Sequence, residues 1–153
     1  MPRTLRFIFV EDGVVATADL LEEQAPQTCA AIWELLPVEG RLVHGMYSGP
    51  ELFVVLADGP STPPENQVHL PLPGDVGYFH HRAGLYAQAP HAVSELVFVY
   101  GRGVAIKGPE GVDTYVNLFA QLRLDESPEF FEFCRRVRRE GPFTLRVERG
   151  DQA

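Results

Sequence analysis

The sequence predicts a mostly β protein, a barrel or sandwich carrying two helices, and three observations lead there. Short apolar runs separated by turn signals recur along most of the 153 residues. Thirteen prolines and 14 glycines favour short strands joined by punctuated turns over long helices. Only two stretches carry a helical period, one opening at Pro26 and one at Pro128. Two isolated helices among many strands suit a closed antiparallel barrel with a helix covering each end. Closure removes exposed edges and gives each helical stripe an apolar surface to cover.

Residues 5–10, LRFIFV, and 14–20, VVATADL, flank the turn Glu11-Asp12-Gly13 and form an opening hairpin. Pro26 suits the first helical position, and Cys29, Ile32, Trp33 and Leu36 recur on one stripe, which predicts Trp33 buried beneath the helix. Pro37 ends that helix and Gly40 marks the exit. Residues 42–47 and 52–56 form a second hairpin around Ser48-Gly49-Pro50, with Leu42, His44 and Met46 on one face and Arg41, Val43, Gly45 and Tyr47 on the other. The proline-rich segment 57–65 is a surface loop, followed by a short edge strand near Val68. Residues 76–79 and 94–100 are strands, the second the most hydrophobic in the chain; residues 80–92 and 101–112 are loops. Residues 115–120, YVNLFA, make a strand in which polar Asn117 needs a partner. Ser127 and Pro128 open the second helix, whose stripe is Phe130, Cys134 and Val137, and Gly141-Pro142 closes it before a last strand at 143–147. The whole of 1–153 reads as one domain, with neither repeat nor linker.

Composition bounds the function. Hydrophobic residues make up 45% and charged residues 22%, as in folded soluble domains. A net charge of −8 argues against nucleic acid, which asks for a basic stripe; Arg135, Arg136, Arg138 and Arg139 fall where a helix C-terminus favours cations. No apolar run spans a bilayer and nothing reads as a signal peptide, so the cytoplasm is the expected address and no membrane partner is expected. Cys29 and Cys134 sit on helix stripes and read as inert packing. His80, His81 and His91 invite a metal, but neighbouring strand positions face opposite ways, so no metal is assigned. No phosphate-binding, dinucleotide-binding or nucleophile-elbow motif occurs, and no cofactor is assigned.

The segments APQTCAAIWELLP, EGRLVHGMYSGPELFV, PPEN, LPGDVGYF, ELVFVYG and NLFA together resemble a bacterial family of cyclophilin-like proteins of undetermined function. The first of them also resembles the opening helix of the cyclophilins. The resemblance implies a cyclophilin-like closed antiparallel β-barrel with two helices over its ends. It does not carry the reaction: prolyl isomerases have a His-Arg pair on the strand after the helix and a Gln-Gly-Gly segment, whereas His44 is followed by Gly45 and no Gln-Gly-Gly occurs. Arg41 is the one substitute on that strand.

A polar and aromatic group remains: Arg41, His44, Tyr47, Glu65, Asn66, Tyr78, His80, Asn117 and Phe119. Aromatic walls with a few amides and carboxylates suit a small polar molecule or an extended peptide. In the family of the resemblance the Pro-Glu-Asn and Asn-Leu-Phe-Ala segments recur, which gives Glu65, Asn66 and Asn117 a shared task, in binding or in holding turns together. His44 among apolar neighbours needs a partner, and Glu65, Asn66 or Asn117 is expected to supply it beside Tyr78 or Phe119. Three functions stay in view: a binding or accessory protein for a small metabolite or partner chain; an enzyme, either a divergent prolyl isomerase or a component of a hydrolase acting on urea-derived or cyclic amides; and a structural homo-oligomer.

Overall fold

Alternation of buried and part-exposed positions turns the apolar runs into strands with one face on a shared core. The structure, a computed structural model, describes residues 1–87 and 89–150. Its elements run β1 (Thr4–Phe9), β2 (Val14–Leu20), α1 (Pro26–Leu35), β3 (Val38–His44), β4 (Glu51–Val55), β5 (Gln67–Val68), β6 (Asp75–His81), β7 (Val93–Val99), β8 (Val116–Leu122), α2 (Pro128–Glu140) and β9 (Thr144–Arg149). The strands pair in the order β2-β1-β9-β3-β4-β7-β6-β8, and β2 pairs with β8, which closes an eight-stranded antiparallel barrel. β5 pairs with β8 from outside the ring. The mostly β class, the closed barrel and the two helices are as the sequence predicts.

The lumen is filled from the eight strands of the ring, by Leu5, Phe7, Phe9, Leu52, Leu96, Phe98, Phe119 and Leu145 among others. α2 brings Phe130 and Phe133 against Phe9, with ring centroids 4.9 and 5.5 Å apart. α1 adds Cys29, Ile32 and Trp33 to the same core. Trp33 is 7% exposed, and the guanidinium groups of Arg3 and Arg149 lie 4.4 and 5.0 Å from its ring centre.

Several boundaries differ from the sequence expectation for local reasons. β3 begins at Val38, ahead of Gly40, because Gly40 pairs with Leu145 and leaves room for the Val54 side chain, which a Cβ would approach to 2.8 Å. β3 ends at His44, so Met46 and Tyr47 belong to the following turn. β6 runs on through His80 and His81, which pair with Ser94 and Val93, so the loop starts later than expected. Ser127 stands at the cap of α2, yet its hydroxyl makes no cap bond. No helix among the described residues is long and apolar enough to cross a membrane.

The sheet has a second core on its outside. Phe79, Val97, Val99 and Val116 point away from the lumen and are covered by Val104 and Ile106, both 3% exposed, from the glycine-rich loop after β7. That loop is tied down by Ala105 N–H to the Ser48 carbonyl (3.0 Å), Ile106 N–H to the His69 carbonyl (2.9 Å) and Lys107 N–H to Ser48 Oγ (3.0 Å). Lys107 Nζ pairs with Asp113.

Candidate functional site

At the edge of this outer core the covering loop stops short of the sheet and leaves a cavity of about 220 Å³. β4 supplies Glu51 and Phe53, β7 supplies Glu95, β6 supplies Phe79 and β3 supplies Val43, while Met46, Tyr47, Lys107 and Pro109 form its lip. Residues two apart on a strand share a face, so Glu51 and Phe53 stand in phase, and so do Glu95 and Val97. Glu95 lies opposite Val55 while Glu51 lies opposite Val99, which sets the two acids at opposite ends of the floor with Phe53 between them.

Glu51 is 5% exposed, and its Oε2 is buried with no hydrogen-bond partner. Burial pushes its carboxyl up to about 7, against the opposing effect of a hydrogen bond with Ser48. Burial, and then the charge of Glu51, push Glu95 up to about 7 as well. Gly45 leaves room for Glu51, because a Cβ there would stand 2.2 Å from Glu51 Oε1 and 3.0 Å from its Cγ. The site therefore offers two carboxyl groups that take and release protons around neutral pH inside an apolar, solvent-connected hollow.

Of the residues the sequence singles out, His44 and Tyr47 line this cavity. His44 Nδ1 lies 2.8 Å from the Gly45 carbonyl, which can only accept, so Nδ1 carries the proton; Tyr100 O–H then donates to Nε2 at 2.6 Å. The expectation that Glu65, Asn66 or Asn117 partners His44 beside Tyr78 or Phe119 is corrected. β3 and β8 are four places apart in a ring of eight, on opposite sides of the barrel. Tyr78 and Phe119 face the filled lumen; Tyr78 O–H donates to the Pro60 carbonyl at 2.5 Å. His80 Nδ1 lies 2.8 Å from Ser94 Oγ, and its ring stacks on Tyr78. Arg41 is exposed and pairs by backbone with Thr144.

Glu65, Asn66 and Asn117 do come together, as a structural clasp. The Glu65 carboxylate accepts from the N–H groups of Gln27 (3.1 Å) and Thr28 (2.8 Å) and from the Thr28 hydroxyl (2.8 Å), capping α1, whose own cap residue Ala25 has nothing to offer. Burial opposes ionisation there, but these hydrogen bonds win and hold Glu65 below its usual range. Asn117 accepts from Glu65 N–H (3.3 Å) and donates to Thr28 Oγ1 (3.0 Å) and the Pro63 carbonyl (2.8 Å). Asn66, at φ 42°, donates to the Leu118 carbonyl at 2.9 Å.

Neither cysteine offers a nucleophile: burial pushes Cys29 up to about 11 and Cys134 higher still. Among the described residues no three His, Cys, Asp or Glu side chains are grouped to hold a metal ion.

The fold and pocket define a β-barrel with a covered outer face and a small acidic cleft. Residues 9–148 match the family described as "Protein of unknown function (DUF3830)", and the chain belongs to that family. No curated protein matches it. Among solved structures it is similar to McbB in complex with tryptophan, at 20% identity and a TM-score of 0.69 over 97% of this chain. The match covers 45% of the McbB chain, so this chain spans under half of that relative's length. It is also similar to the hypothetical protein AF2241 from Archaeoglobus fulgidus, at 21% identity and a TM-score of 0.57, over 97% of this chain and 95% of the other. At these identities the likeness concerns the fold.

Proposed function

We propose that this protein binds a small molecule with an apolar body and a basic nitrogen in the outer-face cavity, and that Glu51 and Glu95 exchange protons with it as an acid–base pair. One observation carries the reading: Glu51 lines an apolar hollow, its Oε2 is buried without a partner, and the partner a buried carboxylate favours most is a charged N–H donor, which a small turn of the side chain would bring within reach. Phe53 and Phe79 supply area for the apolar part. A carboxyl near 7 matches the requirement for a general acid or base working at neutral pH. Prolyl isomerisation is not part of the proposal, because Gly45, which a side chain would force into Glu51, stands where the cyclophilin resemblance puts an arginine.

Calorimetric titration of benzylamine in two buffers of different ionisation enthalpy tests this. Binding should release a proton near pH 7, since the amine favours ionised Glu51, and Glu51→Gln should abolish the release and weaken binding at least tenfold, about 1.4 kcal/mol. Binding without proton release, equal in wild type and Glu51→Gln, overturns it.

A further inference from the structure

A second hollow, of about 390 Å³, adjoins the first and shares His44, Gly45 and Met46 with it. Its remaining walls are Gly49, Pro50, Tyr100 and three side chains of α2, Arg135, Arg138 and Arg139. Those arginines recur at i, i+3 and i+4, so they share one face of the helix, while the opposite face carries Phe130, Cys134 and Val137 into the core. Arg135 pairs with exposed Glu132 at 2.7 Å, and Arg136, off this face, pairs with Glu140 and lies over the Phe133 ring. Arg138 and Arg139 have no ion pair among the described residues. In a chain of net charge −8, three arginines lining one hollow, two of them without an ion pair among the described residues, make a positive site next to two acids. Helix-dipole complementarity explains cations in the last turn, yet it does not explain why three of them line a hollow that shares His44, Gly45 and Met46 with the acidic one.

We propose that Arg135, Arg138 and Arg139, with the His44–Tyr100 pair as floor, hold an anionic group, a carboxylate or a phosphate, of the same ligand whose apolar part fills the Glu51–Glu95 cavity. The inference rests on the proposed function for the apolar half of the ligand and extends it to a class: molecules with a basic nitrogen at one end and an acid at the other. Arginine forks match both anions, and Arg138 and Arg139 are free to turn toward one.

Three probes separate the cases: benzylamine, p-aminomethylbenzoate and p-aminomethylphenyl phosphate, titrated against the full chain. The carboxylate or the phosphate should bind at least tenfold more tightly than benzylamine, and whichever gains more identifies the anion. The gain should vanish in the double variant Arg138→Gln/Arg139→Gln and persist in Arg136→Gln, which removes a like charge from another face of the helix. Anionic probes no tighter than benzylamine, or a gain that survives the double variant, overturn the arginine site and leave the acidic cavity standing. An arginine-dependent gain that Glu51→Gln does not touch supports the anion site and removes the shared ligand. No saturable binding of any probe at millimolar concentration overturns both.

Discussion

Glu65 and Glu51 are both acids set against the outside of one barrel, and their surroundings divide the molecule into a closed region and an open one. Glu65 is met by three hydrogen-bond donors, and the amide that supports it, Asn117, is itself satisfied from α1 and the proline loop. Every group there has an internal use, so the clasp fixes the chain and has nothing left with which to recognise a ligand. Glu51 lies deeper, has one carboxyl oxygen with no partner, and shares its hollow with a second raised acid. A polar group the fold buries and leaves unsatisfied costs stability, and such a cost at a cavity marks a site better than polarity itself does.

Breaking the clasp should have the largest effect. Asn117→Ala strips partners from Thr28, Pro63 and Glu65 at once and should cost about 3 kcal/mol in denaturant unfolding, with benzylamine affinity of the folded protein unchanged. A loss of affinity without loss of stability would merge the two regions. Opening the pocket should act with the opposite sign. Glu51 is raised in the folded state, so its contribution is fully present below about pH 4.5 and is lost as pH rises through about 7. Holding the group at about 7 costs its ionised form about 3 kcal/mol at most. Glu51→Gln should therefore gain about 2 kcal/mol over wild type at about pH 8 and nothing at about pH 4. A Gln variant that is less stable than wild type at the higher pH would mean Glu51 is held by partners as Glu65 is.

Glu65→Gln should lose about 1 kcal/mol at neutral pH, the scale of a helix cap. Because Glu65 is lowered in the folded state, its contribution is present above the ordinary carboxylate range and is lost as pH falls through the folded value. The two variants' stability curves should slope in opposite directions. Smallest of all, Tyr47→Ala at the pocket lip, where Tyr47 is 63% exposed, should leave stability within about 0.5 kcal/mol while weakening benzylamine binding.

The closed region was legible in the sequence and the open one was not, for reasons visible in particular residues. Pro26 and Pro37 bracket α1, alternation marks β1 and β2, and a polar Asn117 inside YVNLFA announced that it needed partners. The sequence points His44 to Glu65, Asn66 or Asn117 because it does not show that β3 and β8 face each other across a full barrel. Glu51 and Glu95 are inconspicuous in the sequence because each stands ahead of an apolar run, where an acid reads as the end of a strand. A signal was present: ELFVV and SELVFVY are apolar on both faces, unlike β1 and β2, and strands of that kind are covered on both sides. The cover, Val104 and Ile106, sits in a glycine-rich loop whose pattern gives no hint that it lies flat on the sheet.

The central claim is that the cavity holds two carboxyl groups whose protons are lost near neutral pH, and carboxyl-carbon NMR titration of the intact protein reads this directly. Glu51 and Glu95 should titrate near 7, while Glu65 titrates below the ordinary glutamate value. Glu51 and Glu95 both titrating at the ordinary glutamate value of about 4.3 would contradict it, leaving the cavity without the acid–base pair on which the proposed function stands.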